Sequence, residues 1–353
     1  MTRHLLQPRG YPARLSIVIP IYNEEQSLPF LRERLTGFVD GLPCVAEIVL
    51  VNDGSSDGSI DLLVNWAQSD CRVKVFNLAR NFGHQMAATA GLDQATGQAV
   101  VLMDADLQDP PEVILDMLRE YRRGYDVVYG RRSSRAGETH FKRLSAWLFY
   151  RTMRLLVHSE LPADVGDFRL VSRECLDAVL SMRETHRFLR GMIAWVGFPQ
   201  TAVSYARSCR VAGKSTYPLR KMLWLAWTAA VSFSPTPLRA SFVLGFLIAA
   251  VGMLEAANAV VRSILGLYVV PGWSSLIVVT CLIGGAILTS IGVLGEYVGR
   301  IFEAVKERPL YVIASKIDSL SAQSQSDPVA AQLAVFPSRP LPERVPSAMT
   351  HEK

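Results

Sequence analysis

The chain has little that would tie it to disulfides, metal clusters or nucleic acid. Its five cysteines, Cys44, Cys71, Cys175, Cys209 and Cys281, are scattered, with no CxxC pair and no Cys/His cluster. That argues against structural zinc and fits a reducing, cytosolic setting. No block of like charge occurs among 37 basic and 32 acidic residues, so the formal charge of +5 makes no nucleic-acid patch. The N-terminus offers a poor secretory signal, because the apolar stretch at residues 15–22 is short and interrupted by Pro20. No internal repeat is present.

Long apolar runs, by contrast, are there. Residues 241–261 hold one ionisable side chain, Glu255, in 21, and residues 276–295 hold none in 20. As helices, either would cross roughly 30 Å of hydrocarbon. Lys and Arg flank the pair as Arg220, Lys221 and Arg239 before it and Arg300, Lys306, Arg308 and Lys316 after it, against Arg262 alone between. The positive-inside rule then predicts a multi-pass protein of the inner membrane with its head and both termini cytoplasmic. Gly295 and Gly299 form a GxxxG beside Gly284, Gly285 and Gly292, which predicts close helix packing and a homo-oligomer.

Ahead of these runs the pattern alternates. Strand-like stretches at 15–19, 48–51, 73–78, 99–103 and 127–129 are separated by helix-like stretches at 27–39, 58–68, 84–95 and 111–123. Such alternation predicts an α/β domain with a mostly parallel sheet, whose ligands bind beyond the carboxyl ends of the strands. The segments that follow the five strands are "PIYNEE", "NDGSSDGS", "ARNFGHQ", "DADLQD" and "GRRSSR". Each is rich in polar, charged or glycine residues, and together they predict one site on one edge. Residues 139–157 and 219–233 read as amphipathic helices carrying Trp, Leu, Lys and Arg, suited to a lipid headgroup layer.

Within "DADLQDPPE", Asp104 and Asp106 stand two apart, which in an extended chain puts both on one side. Two like charges held together call for a cation, and Gln108 adds a neutral oxygen. Mg²⁺ takes few protein oxygens and fills the rest from water and phosphate. Asp109 before Pro-Pro-Glu reads as a helix N-cap. His84, after a glycine, reads as a helix-terminus hydrogen-bonder. "AGKST" at 212–216 is the end of a P-loop without its beginning, since Ser208 occupies the required glycine position.

In this order, "VIPIYNEE", "NDGSSDGS", "RNFGHQ", "DADLQDPPE" and "GDFRL" resemble a family 2 glycosyltransferase of the GT-A fold, over about residues 14–312. The closer likeness is to polyprenyl-phosphate glycosyltransferases, such as bactoprenol glucosyltransferases and dolichol-phosphate mannose synthases. The resemblance implies a Rossmann-like GT-A domain, with Mg²⁺ or Mn²⁺ held by Asp106 and Gln108 beside Asp104. It implies that Pro20, Tyr22, Glu24 and Asp53 hold base and ribose, and that Asp104 and Ala105 face ribose and diphosphate. Arg132, Lys142, Arg207, Arg210 and Lys214 fall where the family places phosphate-binding cations. Lys214 departs from the pattern, since Gly-Lys-Ser-Thr-Tyr stands where Gly-x-Ser-Lys-Tyr is common. The catalytic candidates are Asp106 and Asp167, with Asp164 the alternative to the latter.

The implied organisation is an N-terminal extension (1–13), a GT-A domain (14–217), an interface helix (218–237) and a two-span region (238–300). A tail (301–353), disordered beyond about 318, follows. The implied reaction moves a hexose, glucose from UDP-glucose foremost, to undecaprenyl phosphate at the cytoplasmic face. GDP-mannose or a UDP-aminosugar are alternative donors. A processive polysaccharide synthase would carry Gln-x-x-Arg-Trp, whereas Gln200 is followed by "TAVSY". The acidic motif argues against a non-catalytic scaffold.

Overall fold

The computed structural model describes residues 6–132, 165–185, 187–206, 236–265 and 273–318. Lys142, Asp164, Arg207, Arg210, Lys214, the amphipathic helix at 139–157, nearly all of the interface helix at 218–237 and the tail beyond 318 lie outside them.

Among the described residues, eight strands form one sheet in the order β7-β5-β6-β4-β1-β2-β3-β8. They are β1 (Arg14–Ile21), β2 (Val45–Asn52), β3 (Val73–Leu78), β4 (Ala99–Leu102), β5 (Val127–Arg132), β6 (Val165–Ser172), β7 (Gln200–Tyr205) and β8 (Ile313–Ile317). The five expected strands are all present. β1 runs parallel to β2 and β4, and β2 parallel to β3. β6 lies antiparallel between β4 and β5, which leaves β4 and β5 pointing the same way. The four described strand-following loops and the carboxyl end of β5 therefore lie on one edge, as the alternation predicted. The antiparallel β6 also brings its own amino end to that edge.

β1 sits at the centre, so its run is apolar on both faces and almost wholly buried. Around the sheet lie α1 (Leu28–Asp40), α2 (Ser59–Ser69), α3 (His84–Gln94), α4 (Val113–Arg122), α5 (Arg173–Ser181) and α6 (Leu189–Trp195). In α1, Leu28, Leu31, Leu35 and Val39 make one buried stripe. α3 packs closer still, because a Cβ on Gly91 would lie 2.3 Å from Val18 Cγ1. Residues 6–13 are tied down through Arg9, which bonds Asp126 and the carbonyls of Tyr121 and Tyr125.

Glu47 is a buried carboxylate on β2. It accepts bonds from Ser16 Oγ, Thr96 N and Oγ1, and Lys74 Nζ at 2.5–2.9 Å. Burial alone would push its carboxyl up; Lys74, Ser16 and Thr96 outweigh that and pull it down to about 2. A depressed carboxylate adds stability above its unfolded pKa and loses it as pH falls through the folded one. Glu47→Gln is therefore expected to cost about 3 kcal/mol at pH 7. Denaturation of both proteins across pH should show the gap closing between about pH 4.5 and 2.

Two long helices follow, α7 (Thr236–Ile264) and α8 (Trp273–Val305), packed on each other. The predicted spans at 241–261 and 276–295 lie inside them. Among the described residues, one segment, Leu282–Val305, is long and apolar enough to cross a membrane. Within α8, Arg300 Nε lies 3.0 Å from Glu296 Oε1.

β8 corrects the reading of 301–353 as a tail. Its sequence, IASKI, is short and mostly exposed, as suits an edge strand, and so gives little periodic signal. It pairs antiparallel with β3, placing Ile313 opposite Leu78. The chain leaving α8 thus arrives at the loop edge of the sheet.

Candidate active site

The first three loops are fastened into one body. Asn23, at φ +53°, accepts from Ser56 N at 2.8 Å, and its own N–H donates to Ser55 Oγ. Glu24 N donates to Ser59 Oγ, and Gly58 N donates to Glu25 Oε2. Asp53 is buried, and its two carboxylate oxygens accept Phe82 N at 2.7 Å and Gly83 N at 2.9 Å. Gly54 must be glycine, since at φ +66° a Cβ would lie 2.6 Å from the Arg80 carbonyl carbon. Tyr22 is left about half exposed on this rim, 49%, and Pro20 is buried in register with Val51.

The acidic loop differs from expectation. The β4 ladder ends at Leu102 and residues 105–106 turn, so Asp104 and Asp106 are not carried by an extended strand. Leu107, buried at φ +55°, forces the bend. Asp106 Oδ1 accepts Gln108 N at 3.1 Å. Asp109 is not the N-cap of α4: that position is Glu112, without a side-chain cap. Asp109 instead accepts the Tyr205 hydroxyl from β7. Burial pushes the Asp104 carboxyl up to about 6, with His84 opposing and the charges of Asp167, Asp109 and Asp106 adding to the rise.

Asp167 enters this edge on β6. Its Oδ1 lies 3.0 Å from Arg190 Nη2 and 3.9 Å from Arg169 Nη2. Its Oδ2 lies 3.5 Å from His84 Nε2 and 3.4 Å from Gln85 Nε2. His84 Nε2 also stands 3.7 Å from Asp104 Oδ1, which joins the two acidic elements. Burial would raise the Asp167 carboxyl, but the His84 hydrogen bond and the charges of Arg190 and Arg169 hold it far below the usual range. Burial would lower the His84 imidazole; Asp167, Asp104 and Asp53 raise it on balance. Arg169 is almost fully buried, and burial lowers it to about 10 with Asp167 opposing, so it stays charged at neutral pH.

His84 therefore does more than open a helix, and Gln85, Arg169 and Arg190 join the site unannounced. Arg169 stands two residues from Asp167, a spacing that a strand assignment for "GDFRL" would have read as one face. Nothing in the sequence pointed to Arg190, which arrives from α6. Arg132 ends β5 at the same edge, paired with Tyr205.

Among the described residues, no three His, Cys, Asp or Glu side chains are grouped to hold a metal unaided. Asp104, Asp106 and Gln108 offer two carboxylates and an amide oxygen, a hard but incomplete donor set. That suits a cation whose shell is completed by phosphate and water.

Over residues 16–180 the sequence matches the family Glycosyl transferase family 2. An uncharacterized glycosyltransferase of Bacillus subtilis, YkcC, is 43% identical across 89% of this chain and 94% of its own. The chain belongs to glycosyl transferase family 2. This family 2 glycosyltransferase is also 38% identical to a prophage-derived bactoprenol glucosyl transferase of Shigella flexneri, over 85% of this chain and 97% of that one. A solved mannosyltransferase from Pyrobaculum calidifontis, in complex with GDP-Man and Mn²⁺, covers 81% of this chain at 18% identity and a TM-score of 0.42, a loose likeness. The family 2 domain ends near α5, so Arg190 and the α8–β8 return lie beyond the matched segment.

Proposed function

We propose that this glycosyltransferase moves a hexose, glucose from UDP-glucose, to a polyprenyl phosphate at the cytoplasmic face of the membrane, with inversion. The observation that carries the reading is the return of the chain from α8 to the loop edge of the sheet, next to the loop that follows β3. An acceptor whose phosphate lies at the bilayer surface needs its transferase held there. α7 and α8 are read as two spans, with head and termini on the Lys- and Arg-rich side.

An acceptor phosphate oxygen attacks the anomeric carbon, the bond from that carbon to the donor diphosphate breaks, and the nucleoside diphosphate leaves with the electron pair. No proton need be removed, because the acceptor is already an anion. Asp167, held ionised by His84, Arg190 and Arg169, is then a positioning group, fixing two cations and an imidazole where anions meet. Pro20, Tyr22 and Glu24 shape the base and ribose rim, and Asp53 fixes its floor. Asp106, Gln108 and Asp104 would hold Mg²⁺ or Mn²⁺, which supplies neutralising charge to the departing diphosphate. Arg132, Lys142, Arg207, Arg210 and Lys214 are the proposed phosphate-side cations.

The test is direct. Purified full-length protein with Mg²⁺, undecaprenyl phosphate and UDP-glucose should yield a lipid-linked glucose. GDP-mannose and UDP-aminosugars, run alongside, assign the sugar. No lipid-linked product from any donor would sink the proposal.

A further inference from the structure

The segment after α8 touches the catalytic domain at three places. Val312 O accepts Ala79 N at 2.9 Å, at the start of the loop whose Phe82 and Gly83 N–H groups close on Asp53. β8 continues that contact down β3. Tyr311 donates its hydroxyl to Asp93 Oδ2 at 2.7 Å, in the last turn of α3, and Arg183 donates to both Asp93 oxygens at 2.8 and 2.9 Å. Tyr311 and Ile313 also pack on the apolar cluster that holds Ala87, Ala88 and Ala90 of α3. Residues 311–313 therefore grip α3 from both sides: the loop that leads into it, and its final turn.

α3 begins with His84 and Gln85, both within reach of Asp167. Its small face is closed on the sheet at Gly91, where a Cβ would lie 2.3 Å from Val18 Cγ1. Whatever fixes its two ends fixes the first turn. We infer that residues 306–318 are a positioning strap, through which the inner end of α8 sets His84 and Gln85 against Asp167. The inference deepens the proposed function, since it rests on α8 as a span; Tyr311, Asp93 and Arg183 touch no substrate and act through α3.

An ordinary edge strand would add stability alone, and the test separates the two roles. Tyr311→Phe keeps the ring packed and removes only the hydroxyl's bonds to Asp93 and Gln94, both at the end of α3. In the full chain in lipid nanodiscs, amides of residues 79–88 should exchange hydrogen about tenfold faster than in the parent, with those of β1 and β2 unchanged. With polyprenyl phosphate in the bilayer, kcat should fall about tenfold while KM for the nucleotide sugar moves less than about twofold. Arg183→Gln, which leaves the Tyr311–Asp93 bond in place, should shift both readouts less. Unchanged exchange at 79–88 overturns the strap, and so does faster exchange with parental kcat. Absence of transfer by the parent sinks the polyprenyl reading instead, and exchange at 79–88 then decides alone whether the strap holds α3.

Discussion

Asp106→Ala is expected to lower kcat for sugar transfer by about a thousandfold, the equivalent of roughly 4 kcal/mol of lost transition-state stabilisation. Loss of that carboxylate strips the hard donor set to Asp104 and the amide of Gln108. The negative charge that grows on the leaving diphosphate then goes largely uncompensated. The same variant should lose the Mg²⁺-dependent part of UDP binding, read by calorimetry with and without the ion. Asp106 also accepts Gln108 N beside the strained Leu107, so some loosening of the loop is expected. Asp106→Asn separates the effects, because an amide oxygen can still accept that bond. Transfer should stay low in Asp106→Asn while thermal stability returns. Parental turnover in either variant would remove the acidic loop from the mechanism.

The parts of this site that could be read from the chain are those built from local pattern. Alternating strands and helices put the carboxyl ends of five strands on one edge, and a polar run follows each strand. What escaped came from long-range pairing. β6 is read poorly because its first residues, Val-Gly-Asp, look like a turn until the antiparallel pairing with β4 and β5 is known. β8 escaped because an exposed edge strand has no need of an apolar face. Arg190 had no local mark at all: its meaning lies in an Asp167 that sits 23 residues earlier. The placing of Asp104 and Asp106 was misread as geometry, since the loop turns at once instead of extending the strand.

Asp167→Asn tests the charge logic from the other side. The native carboxylate faces a nearly buried Arg169, a half-buried Arg190 and the imidazole of His84. Removing its charge while keeping its shape leaves two guanidinium groups close together without an anion. Breaking a buried pair in this way costs about 3–5 kcal/mol, and the lower end is expected here because the site meets solvent. Adding Arg190→Gln should recover about 1–2 kcal/mol of that loss, a coupling that a double-mutant cycle reads directly. Activity should fall about a hundredfold, since His84 loses the partner that fixes it beside Asp104. The pH profile carries the decisive contrast. A group held ionised across the working range contributes no limb of its own, so Asp167→Asn should keep the parent's limbs and only move those of His84 and Asp104 to lower pH, since the Asp167 charge raises both. If the parent shows an acid limb that vanishes in Asp167→Asn, the carboxylate takes up a proton during turnover, and the acceptor phosphate does not attack unaided.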